Sequence, residues 1–292
     1  MPSPQQWLAA ARPRTLPAAI APVLVGSGAA AGINQFHPGR ALLAAGVALA
    51  LQIGVNFAND YSDGIRGTDA QRIGPQRLTA SGEVQPRTVR NAAFAAFATA
   101  GVFGLLLTVV TGLWWLLAVG AAAVVAAWFY TGGKRPYGYA GFGEVFVFLF
   151  FGLVATLGTM YVQARMLTLA AVLGAVGVGL LACAIMLVNN IRDIPGDQLA
   201  RKNTLAVRIG GHAARRVYVG LLAAALLLGL VIALITTPWA WFLAVLALPA
   251  WFLARPVLHD DDGAALIPVL GGTAKLELFY AAIIAVALAL SA

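Results

Sequence analysis

Asp60 and Asp63 stand three residues apart and Asp193 and Asp197 four apart, in a chain with only eleven acidic residues. On a helix either spacing puts both carboxylates on one face, where they can reach a shared cation. Without a cation they would repel one another. Hard carboxylate oxygens suit magnesium, which takes one or two of them and fills its other positions with water and substrate phosphate oxygens. An asparagine precedes each pair in the same register: Asn56 lies four before Asp60, and Asn189 four before Asp193. The two clusters therefore predict a diphosphate bridged by metal ions. A departing diphosphate gains negative charge, and Arg77, Lys134, Lys202 and Arg208 are the basic residues placed to stabilise it. The run Asp260–Asp262 has no such company and reads as a solvated loop. No Ser–His or Cys–His arrangement points to covalent catalysis. His37, His212 and His259 fall in separate loops, which gives no zinc site.

The elements that must hold these residues are membrane helices. Of 292 residues, 61% are hydrophobic and only 10% charged, far too apolar for a water-soluble surface. Apolar runs near the length that crosses a bilayer recur along the whole chain. Nine spans are expected: Leu16–Gly32, Ala41–Ala58, Ala92–Thr111, Leu113–Tyr130, Gly143–Tyr161, Leu167–Val188, Val217–Thr236, Trp239–Ala254 and Leu276–Leu290. The reading is an all-α polytopic bundle forming one integral-membrane domain over residues 1–292. Met1–Thr15 is polar and proline-containing, so no cleavable leader is expected. The one cysteine, Cys183, lies in the sixth span and excludes an internal disulfide.

The formal charge of +8 is mainly a topology signal. Only Arg40 and Arg165 fall on one side of this nine-span arrangement; the other seventeen of the nineteen basic residues fall on the opposite side. The positive-inside rule then puts the N-terminus and both Asp-rich loops in the cytoplasm, with the C-terminus outside. Asp60 and Asp193 are 133 residues apart, close to the length of four spans with their connections. That offset predicts an internal repeat of four helices, with a ninth left over. Pro195 and Gly196 predict that helix gives way to loop within the second Asp pair.

With these motifs the chain resembles the UbiA-type intramembrane prenyltransferases. Asn59-Asp60-Tyr61-Ser62-Asp63 looks like their first Asp-rich motif, and Asp193-Ile194-Pro195-Gly196-Asp197 like their second. The common first motif has a third Asp four residues after the second; here that position is Gly67, and the next acid is Asp69. Within the family the chain is most similar to 1,4-dihydroxy-2-naphthoate prenyltransferases of menaquinone synthesis. Ala11–Pro17, Asn59–Asp69, Tyr130–Tyr137, Gly141–Glu144 and Asn189–Gly210 carry that likeness. The resemblance implies magnesium held by Asp60, Asp63, Asp193 and Asp197, with Asp69 as a further candidate. It implies diphosphate contacts from Asn56, Asn59, Arg77, Tyr130, Lys134, Asn189 and Lys202, with Lys134 also catalytic. Arg12, Arg14 and Glu144 are candidates for the aromatic acceptor, and Glu144 has Lys134 as an alternative partner. The implied substrates are a polyprenyl diphosphate and the dihydroxynaphthoate; nothing points to nucleic acid. An apolar path for the prenyl tail would draw on Phe142, Phe146, Phe148, Phe150 and Phe151.

The metal motifs do not distinguish this acceptor from 4-hydroxybenzoate. A secondary transporter is the rival from another class. It would carry ionisable residues near the bilayer midplane, whereas these spans read as nearly free of charge.

Overall fold

Apolar segments punctuated by proline and glycine become helices. The computed structural model describes residues 3–68, 77–259 and 263–291, and among these the regular structure is helical, with no β-strand. Asp69, Arg72 and Asp260–Asp262 lie outside the described residues. A short α1 (Pro4–Ala10) starts on a Ser3–Gln6 capping box. Then come α2 (Pro17–Ala31), α3 (Pro38–Arg66), α4 (Pro86–Thr111), α5 (Leu116–Phe129) and α6 (Gly143–Ala164), the last π-helical over Phe148–Val154. Next come α7 (Leu169–Leu199), a short α8 (Leu205–Ile209), α9 (Gly211–Ile235), α10 (Pro238–Leu258) and α11 (Gly263–Ala289).

Among the described residues seven helices, α3, α4, α6, α7, α9, α10 and α11, are long and apolar enough to cross a membrane. The other two apolar helices are shorter: α2 has 15 residues and α5 has 14. At about 1.5 Å per residue each reaches only ~20 Å, short of a hydrocarbon core of about 30 Å. Length alone separates the seven from the expected nine.

Two helix ends overrun the sequence expectation. Span two was expected to stop at Ala58 and span six at Val188, yet α3 continues to Arg66 and α7 to Leu199. Both overruns contain the Asp pairs. The hydropathy falls there, but the polar side chains find partners in loops folded onto them or, for Asn189 and Asp193, in Arg192 on the same helix, so the helices need not stop. Pro195 does not end α7, contrary to its sequence reading. It sits in the penultimate turn, where its missing N–H costs one hydrogen bond, and Ala200 still donates to the Gly196 carbonyl at 3.0 Å. The last helix begins at Gly263 rather than Leu276. Lys275 and Glu277 therefore lie inside it, Lys275 exposed and Glu277 fully enclosed, and the spans are less free of charge than their sequence suggests.

The core forms around α7, which packs against α2, α6, α9 and α11. A Cβ on Gly152 would lie 2.6 Å from the Gly179 Cα, so α6 and α7 meet backbone to backbone there, as small residues permit between membrane helices. A second apolar cluster joins α1, α3 and α4 through Ala10, Phe57, Ala58, Val89, Ala93 and Phe97. Outward faces carry exposed Trp239, Trp241, Phe242, Trp251 and Phe252, as a lipid-facing surface would. The ends of α2 and α6 (Ala31, Ala164) and of α3 and α7 (Arg66, Leu199) share the 133-residue offset of the Asp motifs.

Candidate active site

On α3, Asn56, Asn59, Asp60 and Asp63 follow helical spacing and share one buried face. Together they hold three segments of chain. Asn56 Nδ2 donates to the Ala11 carbonyl at 2.8 Å and to Thr15 Oγ1 at 3.2 Å, while its Oδ1 accepts from Gln52. Asn59 Oδ1 accepts from Thr131 Oγ1 at 2.8 Å. Asp60 is fully buried and accepts the backbone amides of Leu78 and Thr79, one on each oxygen, at 3.0 and 2.9 Å. Asp63 Oδ1 accepts the Tyr139 hydroxyl at 2.8 Å. The helix stops at Gly67, whose φ of 72° is the left-handed conformation of a helix cap. The position where the family pattern has its third Asp is thus a helix stop, which an aspartate would adopt only at a cost.

On α7, Asn189, Asp193 and Asp197 recur every four residues on one helix. Arg192 grips Asp193 with Nε and Nη2, both at 2.7 Å, and Nη2 also donates to Asn189 Oδ1 at 2.8 Å. Asp197 faces Lys202 Nζ at 3.5 Å.

The segment Tyr130–Gly141 lies between the two helix ends and touches both. On the α3 side, Arg66 donates to the Thr131 and Gly133 carbonyls. On the α7 side, the Asn203 amide donates to the Tyr139 carbonyl at 3.0 Å. The Tyr139 ring lies 5.3 Å from Lys202 Nζ and 5.4 Å from the Arg66 guanidinium. Burial, reinforced by the charge of Asp63, pushes the Tyr139 phenol up to about 12. Burial raises Tyr137 as well; its hydroxyl donates to the Ala126 carbonyl. Gly141 (φ 74°) makes the turn that lets Arg208 and the Asn203 carbonyl pass close by.

The other expected residues are spread around this centre. Arg77 is buried beside Leu78 and Thr79, and Tyr130 lies against Gly138, Gly143 and Met186. Lys134 and Arg14 are exposed. Arg12 has φ 53°, and its Nη2 is enclosed without a hydrogen-bond partner among the described residues. Glu144 does not pair with Lys134. Its Oε1 accepts from Asn190 Nδ2 at 2.9 Å, and its Oε2 is enclosed without a partner among the described residues. Of the phenylalanines, Phe146 stacks between Tyr137 and Phe150, Phe148 packs on Gly179, Phe151 packs beside Ala18 and Ile185, and Phe142 is exposed.

Sequence reasoning missed Tyr139, Arg66, Asn190 and Glu277. Tyr139 lies two residues beyond a stretch that carried the resemblance, and Asn190 adjoins Asn189, so both were within reach of the motifs. In the sequence Arg66 is one of the seventeen basic residues that set topology, and no periodicity marks Glu277, both of whose oxygens are enclosed without partners among the described residues.

The donors fit a magnesium–diphosphate group. Among the described residues no cluster of three or more His, Cys, Asp or Glu could hold a metal alone. One or two carboxylates with phosphate oxygens and water in the remaining positions is magnesium's usual arrangement.

Comparison with known proteins agrees. Residues 19–270 match the sequence model of the UbiA prenyltransferase family. The 1,4-dihydroxy-2-naphthoate octaprenyltransferase of Mycobacterium tuberculosis is 50% identical over 284 residues, 97% of each chain. That of Escherichia coli is 38% identical, covering 93% of this chain and 91% of its own. Among solved structures, a UbiA homolog from Archaeoglobus fulgidus bound to DMAPP and Mg2+ superposes with a TM-score of 0.67. It is 16% identical over 96% of this chain and 99% of that one, so it speaks to the fold.

Proposed function

The chain belongs to the UbiA prenyltransferase family, and we propose that it transfers a polyprenyl chain from its diphosphate to 1,4-dihydroxy-2-naphthoate. The observation that supports the chemistry is the meeting of two Asp-bearing helix ends on one connecting segment, with Asp63 and Lys202 both on Tyr139. The acceptor rests on full-length relatives of that activity at 50% and 38% identity.

Asp63, Asp193 and Asp197, with Asp60 behind them, would hold magnesium together with the diphosphate oxygens. Magnesium bound there supplies electrophilic pull on the leaving group. Lys202, Arg77 and Lys134 add positive charge where negative charge develops. The C1–oxygen bond of the allylic diphosphate breaks with its electron pair on the diphosphate. The ring carbon that bears the carboxylate bonds to C1. Loss of carbon dioxide returns the carboxylate's electron pair to the ring, giving a demethylmenaquinone in its hydroquinone form. No protein nucleophile and no separate proton acceptor is required. Glu144, with one oxygen enclosed and without a partner among the described residues, would orient an acceptor hydroxyl.

The same reading makes residues 1–292 one membrane domain in which α2 and α5 complete nine crossings, with α2–α5 repeated as α6, α7, α9 and α10. The shared 133-residue offset of Asp motifs and helix ends supports the repeat. The distribution of basic residues supports a cytoplasmic N-terminus and active site in a bacterial cell membrane, with the C-terminus outside. Labelling of single cysteines introduced at Ser3 and Ser291 in intact cells and inverted vesicles tests this; reagent reaching both from one side would exclude nine crossings.

The deciding experiment supplies purified protein with magnesium, a polyprenyl diphosphate and each aromatic acid in turn. The expected product is the prenylated, decarboxylated naphthalenediol, identified by mass spectrometry. Prenylation of 4-hydroxybenzoate but not of dihydroxynaphthoate would overturn the acceptor.

A further inference from the structure

Among the described residues the two Asp-bearing helices, α3 and α7, do not pack side by side. Their spacing is set by what lies between their ends, and Tyr139 makes contact in both directions. Its hydroxyl donates to Asp63 Oδ1 at 2.8 Å and lies 3.3 Å from Thr68 Oγ1. Its carbonyl accepts the Asn203 amide at 3.0 Å. One ring sees two cations, Lys202 at 5.3 Å and Arg66 at 5.4 Å. Lys202 in turn faces Asp197 at 3.5 Å. A path from Asp63 to Asp197 thus runs through one aromatic side chain and one lysine.

We infer that Tyr139 is a positioning residue, a brace that sets Asp63 and Lys202 at the separation a metal-bound diphosphate requires. This rests on the reading of the site as a magnesium–diphosphate site. A phenol donating to a carboxylate makes a charge-assisted bond that fixes the carboxylate's rotation. Holding Oδ1 leaves Asp63 Oδ2 to face a cation. The ring face gives the flexible Lys202 side chain a seat, which reduces the freedom it must lose on meeting phosphate. The two functions belong to different parts of one side chain, so they can be removed separately.

Tyr139→Phe removes the hydroxyl and keeps the ring; Tyr139→Leu removes both. Full-length protein in nanodiscs is titrated calorimetrically with magnesium and farnesyl thiolodiphosphate, an unreactive analogue, and turnover is measured in parallel. Tyr139→Phe is expected to raise the half-saturating magnesium concentration about tenfold, in both binding and turnover, with KM for the acceptor unchanged. Tyr139→Leu is expected to weaken analogue binding about tenfold further at saturating magnesium. Thermal melts establish that each variant is folded. Tyr139→Phe retains the packing and carries the test alone if Tyr139→Leu does not fold. In an Asp63→Asn background, Tyr139→Phe should have no added effect on magnesium dependence, because the brace acts through that carboxylate. A Tyr139→Phe variant with wild-type magnesium dependence, or with the same effect in both backgrounds, would overturn the brace. Wild-type protein that binds no analogue at any magnesium concentration would instead overturn the diphosphate reading, and the brace's role with it.

Discussion

The two Asp motifs have the same residue type, the same preceding asparagine and the same place at the end of a long helix, yet their surroundings differ in charge. The described partners of Asp60 and Asp63 are neutral: two backbone amides and a phenol. Asp193 and Asp197 lie against a guanidinium and an ammonium group. Among the described residues the partners of the first pair bring no positive charge, and the second pair is largely compensated. The first motif is therefore the stronger draw for a cation. The second brings carboxylate and positive charge together, as would suit the end proposed to meet phosphate. A repeated sequence motif need not mean a repeated role.

The largest expected effect tests that asymmetry. Asp63→Asn should lower turnover on the order of a thousandfold, and Asp193→Asn by roughly tenfold to a hundredfold, because Arg192 already offsets the second charge. Steady-state assays at saturating magnesium would show this, and equal losses would break the comparison. Next comes stability. Arg192→Leu takes the guanidinium away from a mostly enclosed Asp193 and should cost about 3 kcal/mol in thermal unfolding. Asp60→Asn replaces a charged acceptor of two amides and should cost about 2 kcal/mol. A smaller change is expected from Lys202→Gln, a rise in KM for the prenyl diphosphate of roughly tenfold with the magnesium requirement little altered. The smallest concerns pH. The Tyr139 phenol, near 10 when unfolded, is raised to about 12 by burial and by Asp63. Its contribution to stability is therefore complete below pH 10 and is lost as pH rises through about 12. Ultraviolet titration of Tyr139→Phe should lack one late-ionising tyrosine, and its stability should fall less steeply above pH 10.

Much of this site was legible in the chain. Helical spacing predicted that Asp60 and Asp63 would share a face, and they do; Asp193 and Asp197 also share one, because α7 runs on through Pro195 and Gly196, where the sequence pointed to a loop. The break between α4 and α5 at Gly112 was also visible, and Gly112 caps α4 at φ 71°. Where helix ends were misread, hydropathy was the wrong guide. It reports how apolar a residue is, and not whether a loop will fold over it. Asn56 shows the limit from the other side: read as a diphosphate contact, it spends both ends of its amide on the N-terminal segment and Gln52. Glu144 likewise found Asn190 rather than Lys134.

The sequence by itself determined the class of the protein, because composition and apolar periodicity are local properties that a bilayer and a helix read directly. It also marked the candidate metal carboxylates, because their spacing along a helix is fixed by 3.6 residues per turn. Only the tertiary structure decided which long-range partners these carboxylates meet. Asp63 meets Tyr139 across 76 residues of chain, and Asn190 meets Glu144 across 46. Contacts of that range depend on how helices and loops come together in space, and no local pattern encodes them.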